Sequence, residues 1–316
     1  MEPALFESDL EAKPQWLRAL ADHLATVEWP IARGQRVLLT GMGSSYFAAD
    51  TAARRLRRAG ISAVAELASV EGSWPPAPDV AVVGISANGG STETLDLLQS
   101  HHGASTTVGL TNSPDKELPA HHTLRMHAGP EVSGVSCRSY LHTLVLLLQL
   151  EQQLAGTVHD LAQTVLAAAD AAEHLLATRS QWLPEVAHHL DGPNGAWLMA
   201  PAERYGNALQ GALMMRETPR RPADGCETGD WNHVDVYLTK SLDYRALMFT
   251  GSRFDHAAAN WMHERGSTFV AVGPPAEGMH DAAFVVRYPD DHDPLVALLT
   301  EVLVPELASA AWWAQQ

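Results

Sequence analysis

Short, nearly continuous apolar runs recur along the chain, each ending in a turn of small polar residues and followed by an amphipathic stretch. Arg36-Val-Leu-Leu-Thr40 runs into Gly41-Met-Gly-Ser-Ser45 and then the stretch from Tyr46 to Arg58, which predicts strand, tight turn and helix. Asp79-Val-Ala-Val-Val-Gly-Ile85 repeats the plan, with the polar loop Ser86-Ala-Asn-Gly-Gly-Ser91 and a helix from Thr92. Thr106 to Leu110 predicts a third strand and Thr123 to Met126 a fourth. Apolar runs without alternation are the kind buried on both faces of a parallel sheet. Beyond a small-residue loop, Ala128 to Ser136, the segment Leu141 to Leu150 is apolar on most faces and predicts a buried helix. Leu10, Trp16, Leu17, Leu20 and Leu24 fall near one face of a helical stretch that precedes all of this.

An alanine-rich helical tract, Leu161 to Leu190, leads through the turn cluster Asp191-Gly-Pro-Asn-Gly195 into a second half with the same plan. Strands are predicted at Ala196–Met199, Arg245–Thr250, Thr268–Gly273 and Ala283–Arg287. Helices are predicted at Gly206–Thr218, up to Arg265, and from Pro294 to about Trp313. Two successive arrays of this kind predict an α/β protein of two flavodoxin-like subdomains, each a parallel sheet flanked by helices. The expected organisation is a helical arm at 1–30, a first α/β domain at 31–158, a linking helix at 159–190 and a second domain at 191–316.

Composition narrows the function classes. The 316 residues carry a formal charge of −16, which disfavours nucleic-acid backbones and anionic membranes, so a phosphorylated ligand must be held by local donors. Two cysteines, Cys137 and Cys226, are too few for a disulfide framework and suit a reducing compartment, with the cytoplasm as the default. The start of the chain lacks the pattern of a signal peptide, and no uncharged apolar run approaches the roughly 20 residues of a membrane helix. Asp224, Cys226, Glu227, Asp230 and His233 crowd one segment and Asp290-Asp-His-Asp293 another, but neither has a recognised ligand spacing, so no metal and no cofactor are expected.

In open α/β sheets, ligands bind outside the carboxyl ends of the strands, where helix N-termini and turn N–H groups are exposed. Ser44 and Ser45 follow the first strand, and Ser86, Asn88, Ser91 and Thr92 the second. These are short neutral donors with no lysine among them, a pocket suited to a phosphate monoester on a small molecule. The same residues also serve as ordinary helix caps in many proteins. Gly41-Met-Gly-Ser-Ser-Tyr46 lacks the third glycine of a dinucleotide fingerprint, and no P-loop ending occurs.

Gly41-Met-Gly-Ser-Ser-Tyr46, Ile85-Ser-Ala-Asn-Gly-Gly-Ser-Thr-Glu-Thr-Leu95 and Glu131-Val-Ser-Gly-Val-Ser-Cys-Arg-Ser-Tyr140 resemble, in order and spacing, the sugar isomerase (SIS) domain. The likeness is greatest to the isomerase half of glucosamine-6-phosphate synthase, and Tyr205-Gly-Asn-Ala-Leu-Gln-Gly-Ala-Leu-Met-Met-Arg-Glu217 continues it into the second half. The resemblance implies that Ser45, Ser86, Asn88 and Ser91, with Gly43 and Ser136 in the same motifs, hold a sugar phosphate. It places Glu217 on a carboxylate that moves a proton between C1 and C2 of the open-chain sugar, and His233 on a ring-opening histidine. It also implies a homodimer in which the His233 segment reaches the neighbour's site.

Four departures bear on the reaction. The chain begins Met1-Glu2 rather than with a glutaminase cysteine, and it ends without the tail lysine that forms a Schiff base in the synthase; its lysines are Lys13, Lys116 and Lys240. Ala87 and Asn88 stand where the family has Gln and Ser, and Gly90 replaces an acidic residue. Asn232 and Val234 flank His233 where the synthase has Lys and Gly. These departures resemble amino-sugar-phosphate deaminases and fructosamine-phosphate deglycases, which imply loss of ammonia or an amine after C1/C2 proton transfer. Aldose–ketose phosphosugar isomerisation is the alternative reaction, and non-catalytic sensing of a sugar phosphate the alternative role.

Overall fold

The computed structural model describes residues 2–157, 159–276 and 278–316; Val158, where the first α/β domain is expected to end, lies outside them. The N-terminal segment forms two helices, α1 (Pro3–Glu11) and α2 (Lys13–His23), followed by a short turn that ends at Thr26. Pro14 has no N–H to continue α1, so the helix stops at Ala12 and restarts. The chain divides into two compact units, one of residues 15–166 and the other of residues 1–14 with 167–316.

The first unit contains β1 (Arg36–Gly41), α3 (Ser44–Arg58), β2 (Ala63–Leu67), β3 (Val80–Ile85), α4 (Thr92–His101), β4 (Thr106–Thr111), β5 (His122–Arg125) and α5 (Arg138–Ala155). Its strands are all parallel, in the order β2-β1-β3-β4-β5. The apolar runs are β1, β3 and β4, and β3 is buried at every position. β2 escaped the sequence pattern because it is a half-exposed edge strand, Ala-Val-Ala-Glu-Leu, with no apolar run to mark it. The helix α5 is buried along most of its length, from Arg138 to Leu148, as its all-round apolarity requires.

The helix α6 (Leu161–Leu190) runs into the second unit, which adds β6 (Ala196–Ala200), α7 (Tyr205–Glu217), β7 (Ala223–Glu227), α8 (Thr228–Trp231), β8 (Arg245–Phe249), α9 (Asp255–Glu264), β9 (Thr268–Val272), β10 (Phe284–Val286), α10 (Pro294–Thr300) and α11 (Leu303–Trp313). Its parallel sheet has the order β10-β9-β8-β6-β7, which is the plan of the first sheet read from the other edge. The second edge strand missing from the sequence pattern is β7, Ala-Asp-Gly-Cys-Glu, which is polar for the same reason. The two α/β subdomains of flavodoxin-like order are therefore as the periodicity predicts.

The predicted C-terminal helix is broken at Glu301–Val302, because Pro305 cannot donate to the carbonyl of Glu301. Pro294–Trp313 is long and apolar enough to cross a membrane, but 89% of its apolar window is buried inside the protein, where it forms core. Glu306 on α11 is buried and ion-paired with the equally buried Lys13 of α2.

Candidate active site

The register of the first sheet brings the two serine loops side by side. Gly41 pairs with Ile85, so Met42–Ser45 and Ser86–Ser91 leave the sheet at the same level, from adjacent strands whose connections run in opposite directions. This is the switch point at which open α/β sheets form a crevice. Gly43 has φ 54 and ψ −127, a conformation that side-chain-bearing residues rarely adopt, and it sets Ser44 and Ser45 into the first turn of α3.

The second loop is organised by its own side chains. Ser86 is buried and its Oγ accepts from Ser91 N–H at 3.2 Å, while Asn88 Oδ1 accepts from Gly90 N–H at 2.9 Å. Ser91 caps α4, accepting from Thr94 N–H at 3.4 Å and Thr94 Oγ1 at 3.0 Å, and donates its own hydroxyl to Glu93 at 3.0 Å. Ser86, Asn88 and Ser91 thus act as caps and turn-formers, with Asn88 exposed at the rim. The capping role and a binding role use the same groups, since an anion at this loop would replace internal acceptors with its own oxygens.

Two residues outside the predicted set hold the loop in place. Asn112, just beyond β4, donates its N–H to Ala87 O at 2.9 Å and its Nδ2 to Gly129 O at 2.7 Å, while its Oδ1 accepts from Ala128 N–H at 2.9 Å. It therefore ties the Ser86–Ser91 loop to the Ala128–Ser136 loop. Glu131 in that second loop accepts from the N–H groups of Cys137, Arg138 and Ser139 at 2.6–3.0 Å, capping α5 with a carboxylate. Ser136 lies half-buried in the same loop, two residues before that helix start.

Lys116, absent from the predicted set, also reaches the loop. A methyl group on Gly89 would lie 2.9 Å from Lys116 Cδ, and one on Gly90 3.7 Å from its Nζ, so the side chain crosses the turn. Gly89 itself has φ +63. The available sequence signal was the turn Asn112-Ser-Pro-Asp-Lys116, placed after the next strand of the same sheet edge.

Glu217 and His233 belong to the second unit. Glu217 is the last residue of α7, half-buried, with no ion-pair partner among the described residues despite Arg216 and Arg220 nearby in sequence. Burial pushes its carboxyl pKa above the usual range. His233 is exposed, its N–H donating to Asp230 O at 2.8 Å, and it lines a cavity of about 640 Å³ with Glu227, Asp230, Asn232, Phe254 and Trp261. Glu217 does not line that cavity. A second cavity, of about 540 Å³ beside α4, includes Glu93 but none of the predicted serines.

The loops of the second sheet that correspond to the serine loops are closed by an internal carboxylate. Asp255 accepts from Gly251 N–H at 2.6 Å and Ser252 N–H at 3.1 Å, so the N–H groups that follow β8 are already engaged. Arg204, which follows β6, pairs with buried Glu301 at 3.3 Å and bonds to Thr250 O. Desolvation raises Asp255 to about 6 and Glu301 to about 7. Among the described residues no group of three or more His, Cys, Asp or Glu is disposed to hold a metal ion, and Cys226 is a buried thiol whose pKa burial pushes upward.

Residues 31–151 match the family model for the SIS domain. The glutamine–fructose-6-phosphate aminotransferase (isomerizing) of Aeropyrum pernix is 25% identical over 260 residues, covering 77% of this chain and 42% of that protein, so the chain spans less than half the length of that relative. The glucosamine-6-phosphate deaminase of Thermotoga maritima superposes with a TM-score of 0.77 at 16% identity, over 98% of this chain and 94% of that one. The tagatose-6-phosphate ketose/aldose isomerase of Escherichia coli superposes with a TM-score of 0.79 at 15% identity, over 98% and 92%. The sheet order of the first unit thus coincides with a sequence match, and the chain carries a SIS domain over residues 31–151 and is homologous to the isomerase domain of the fructose-6-phosphate aminotransferases.

Proposed function

We propose that the protein is a phosphosugar enzyme of the deaminase/isomerase type. It binds the phosphate of an open-chain amino-sugar or fructosamine phosphate on the Met42–Ser45 and Ser86–Ser91 loops and transfers a proton between C1 and C2 of the sugar. The observation that carries the reading is Glu217, a half-buried carboxyl with no ion-pair partner among the described residues and a pKa raised by desolvation. A carboxylate held in an ion pair is a weak base, whereas one raised towards neutrality can both take a proton from carbon and return it.

In the proposed mechanism Glu217 removes the proton from the carbon next to the carbonyl or imine, giving an enediol or enolamine, and delivers it to the neighbouring carbon. His233 protonates the ring oxygen as the ring opens; for loss of nitrogen, water adds to the imine carbon formed by the proton transfer, and His233 protonates the nitrogen as the carbon–nitrogen bond breaks and the carbonyl forms. The phosphate loop contributes orientation, with Ser45, Ser86, Asn88 and Ser91 as donors and Gly43 and Ser136 shaping the walls. The protein acts without a cofactor, as a cytoplasmic homodimer. The fold is common to a deaminase and to a ketose/aldose isomerase, so it does not choose between loss of ammonia and simple isomerisation.

Incubating a panel of hexosamine and fructosamine phosphates with the protein, with ammonia and ketose both read out, separates the two. Ammonia or amine release in step with ketose or aldose phosphate supports the deaminase or deglycase reading. Ketose formation from an aldose phosphate without nitrogen release would make the protein an isomerase. No turnover of any member would remove the catalytic reading.

A further inference from the structure

We propose that Lys116 is the cationic contact for the phosphate on the Ser86–Ser91 loop, making the site select a dianionic phosphate monoester over an uncharged sugar. The inference rests on the phosphate-loop reading above and extends it to a residue that lies outside both serine motifs. The placement is geometric: the alkyl chain of Lys116 crosses Gly89, and its ammonium ends beside Gly90, 3.7 Å from where a Cβ would stand. Gly90 carries no side chain to meet that charge, and among the described residues Lys116 has no ion-pair partner.

The other two lysines are accounted for within the fold. Lys13 is buried against Glu306, and Lys240 stacks over the Tyr237 ring at 5.4 Å. In a chain of net charge −16, an ammonium set on a glycine turn without a carboxylate partner is an unusual placement. It is also held there. Arg125 on β5 donates to the carbonyls of Ser113, at 3.0 Å, and of Lys116, which pins the turn carrying the lysine.

The local charges show what the lysine contributes. Ser91 Oγ donates to Glu93, whose carboxylate would repel an incoming phosphate, and Ala87 offers no side-chain donor. An ammonium beside the loop offsets Glu93 and adds a charge-assisted hydrogen bond, the kind that is shorter and stronger than a neutral one.

The test is calorimetric titration of fructose 6-phosphate into the wild type, Lys116→Met, Lys116→Arg and Ser86→Ala, at two salt concentrations, with fructose as the uncharged control. Lys116→Met should weaken binding on the order of 10- to 100-fold and flatten its salt dependence. Lys116→Arg should bind within a few-fold of the wild type. Because Lys116 is exposed, neither change should shift the thermal midpoint, which keeps a folding defect apart from a lost contact. If Ser86→Ala weakens binding while Lys116→Met binds as the wild type does, the loop holds phosphate without the lysine and the inference fails alone. If the wild type binds fructose 6-phosphate no better than fructose, the phosphate-loop reading fails with it.

Discussion

At the scale of single residues, Glu217 is the position on which the proposed chemistry turns. Replacing it by Gln keeps its size and one acceptor oxygen but removes the base, so turnover should drop by roughly 10²- to 10⁴-fold with little change in substrate affinity. Since burial raises the Glu217 pKa, the base form is populated only above the usual carboxylate range, and the acid limb of kcat/KM in the wild type should lie correspondingly high. A limb at the ordinary glutamate value would mean that the group titrating in catalysis is not this one. The contrast between Glu217 and Lys116 shows where sequence reading reached and where it stopped. Glu217 sits inside a motif and could be placed by its neighbours, whereas Lys116 meets its loop across two strands of the sheet, a closeness that no local spacing encodes.

At the scale of elements, the loops depend on the caps that flank them. Glu131→Ala removes the acceptor of three N–H groups at the start of α5, which should cost about 1–2 kcal/mol in urea unfolding and loosen the loop that Asn112 ties to Ala87. An unchanged unfolding midpoint would show that solvent satisfies those groups equally well. The strands legible in the sequence were the apolar ones, β1, β3, β4, β6, β8 and β9, because burial on both faces demands it, together with the shorter edge-side strands β5 and β10. The edge strands β2 and β7 were not legible, since their stability comes from pairing with β1 and β6 rather than from their own residues. The break between α10 and α11 was written in Pro305, but the apolar periodicity on either side masked it.

At the scale of the whole molecule, the two halves share a topology and differ in chemistry. The first sheet engages the N–H groups at its switch point with the neutral side chains of Ser86 and Asn88, while the second engages the corresponding groups with the carboxylate of Asp255 and sets Arg204 against Glu301. Asp255 and Glu301 hold their protons to about pH 6 and about pH 7 in the fold, and to roughly 4 when unfolded. Between those values the native state binds more protons than the unfolded one, so stability should fall as pH rises from about 4 to 7. Glu301→Gln should flatten the upper part of that slope in thermal melts taken across the range; a slope unaltered by the substitution would assign it to other groups. The proposed two-fold dimer makes a separate prediction, because mixed chains carrying Glu217→Gln and His233→Ala can restore one complete site. Partial activity in verified heterodimers is expected, and its absence would place His233 in its own subunit's site or outside the mechanism.

The most direct test of the central claim is exchange of carbon-bound hydrogen with solvent. In deuterium oxide, the wild type should introduce deuterium at C1 or C2 of a turned-over amino-sugar or fructosamine phosphate, and Glu217→Gln should do so at roughly one-hundredth of the rate or less. If no phosphosugar gains deuterium with the wild type, and the Gln variant behaves identically, Glu217 moves no proton on carbon and the protein binds sugar phosphates without transforming them.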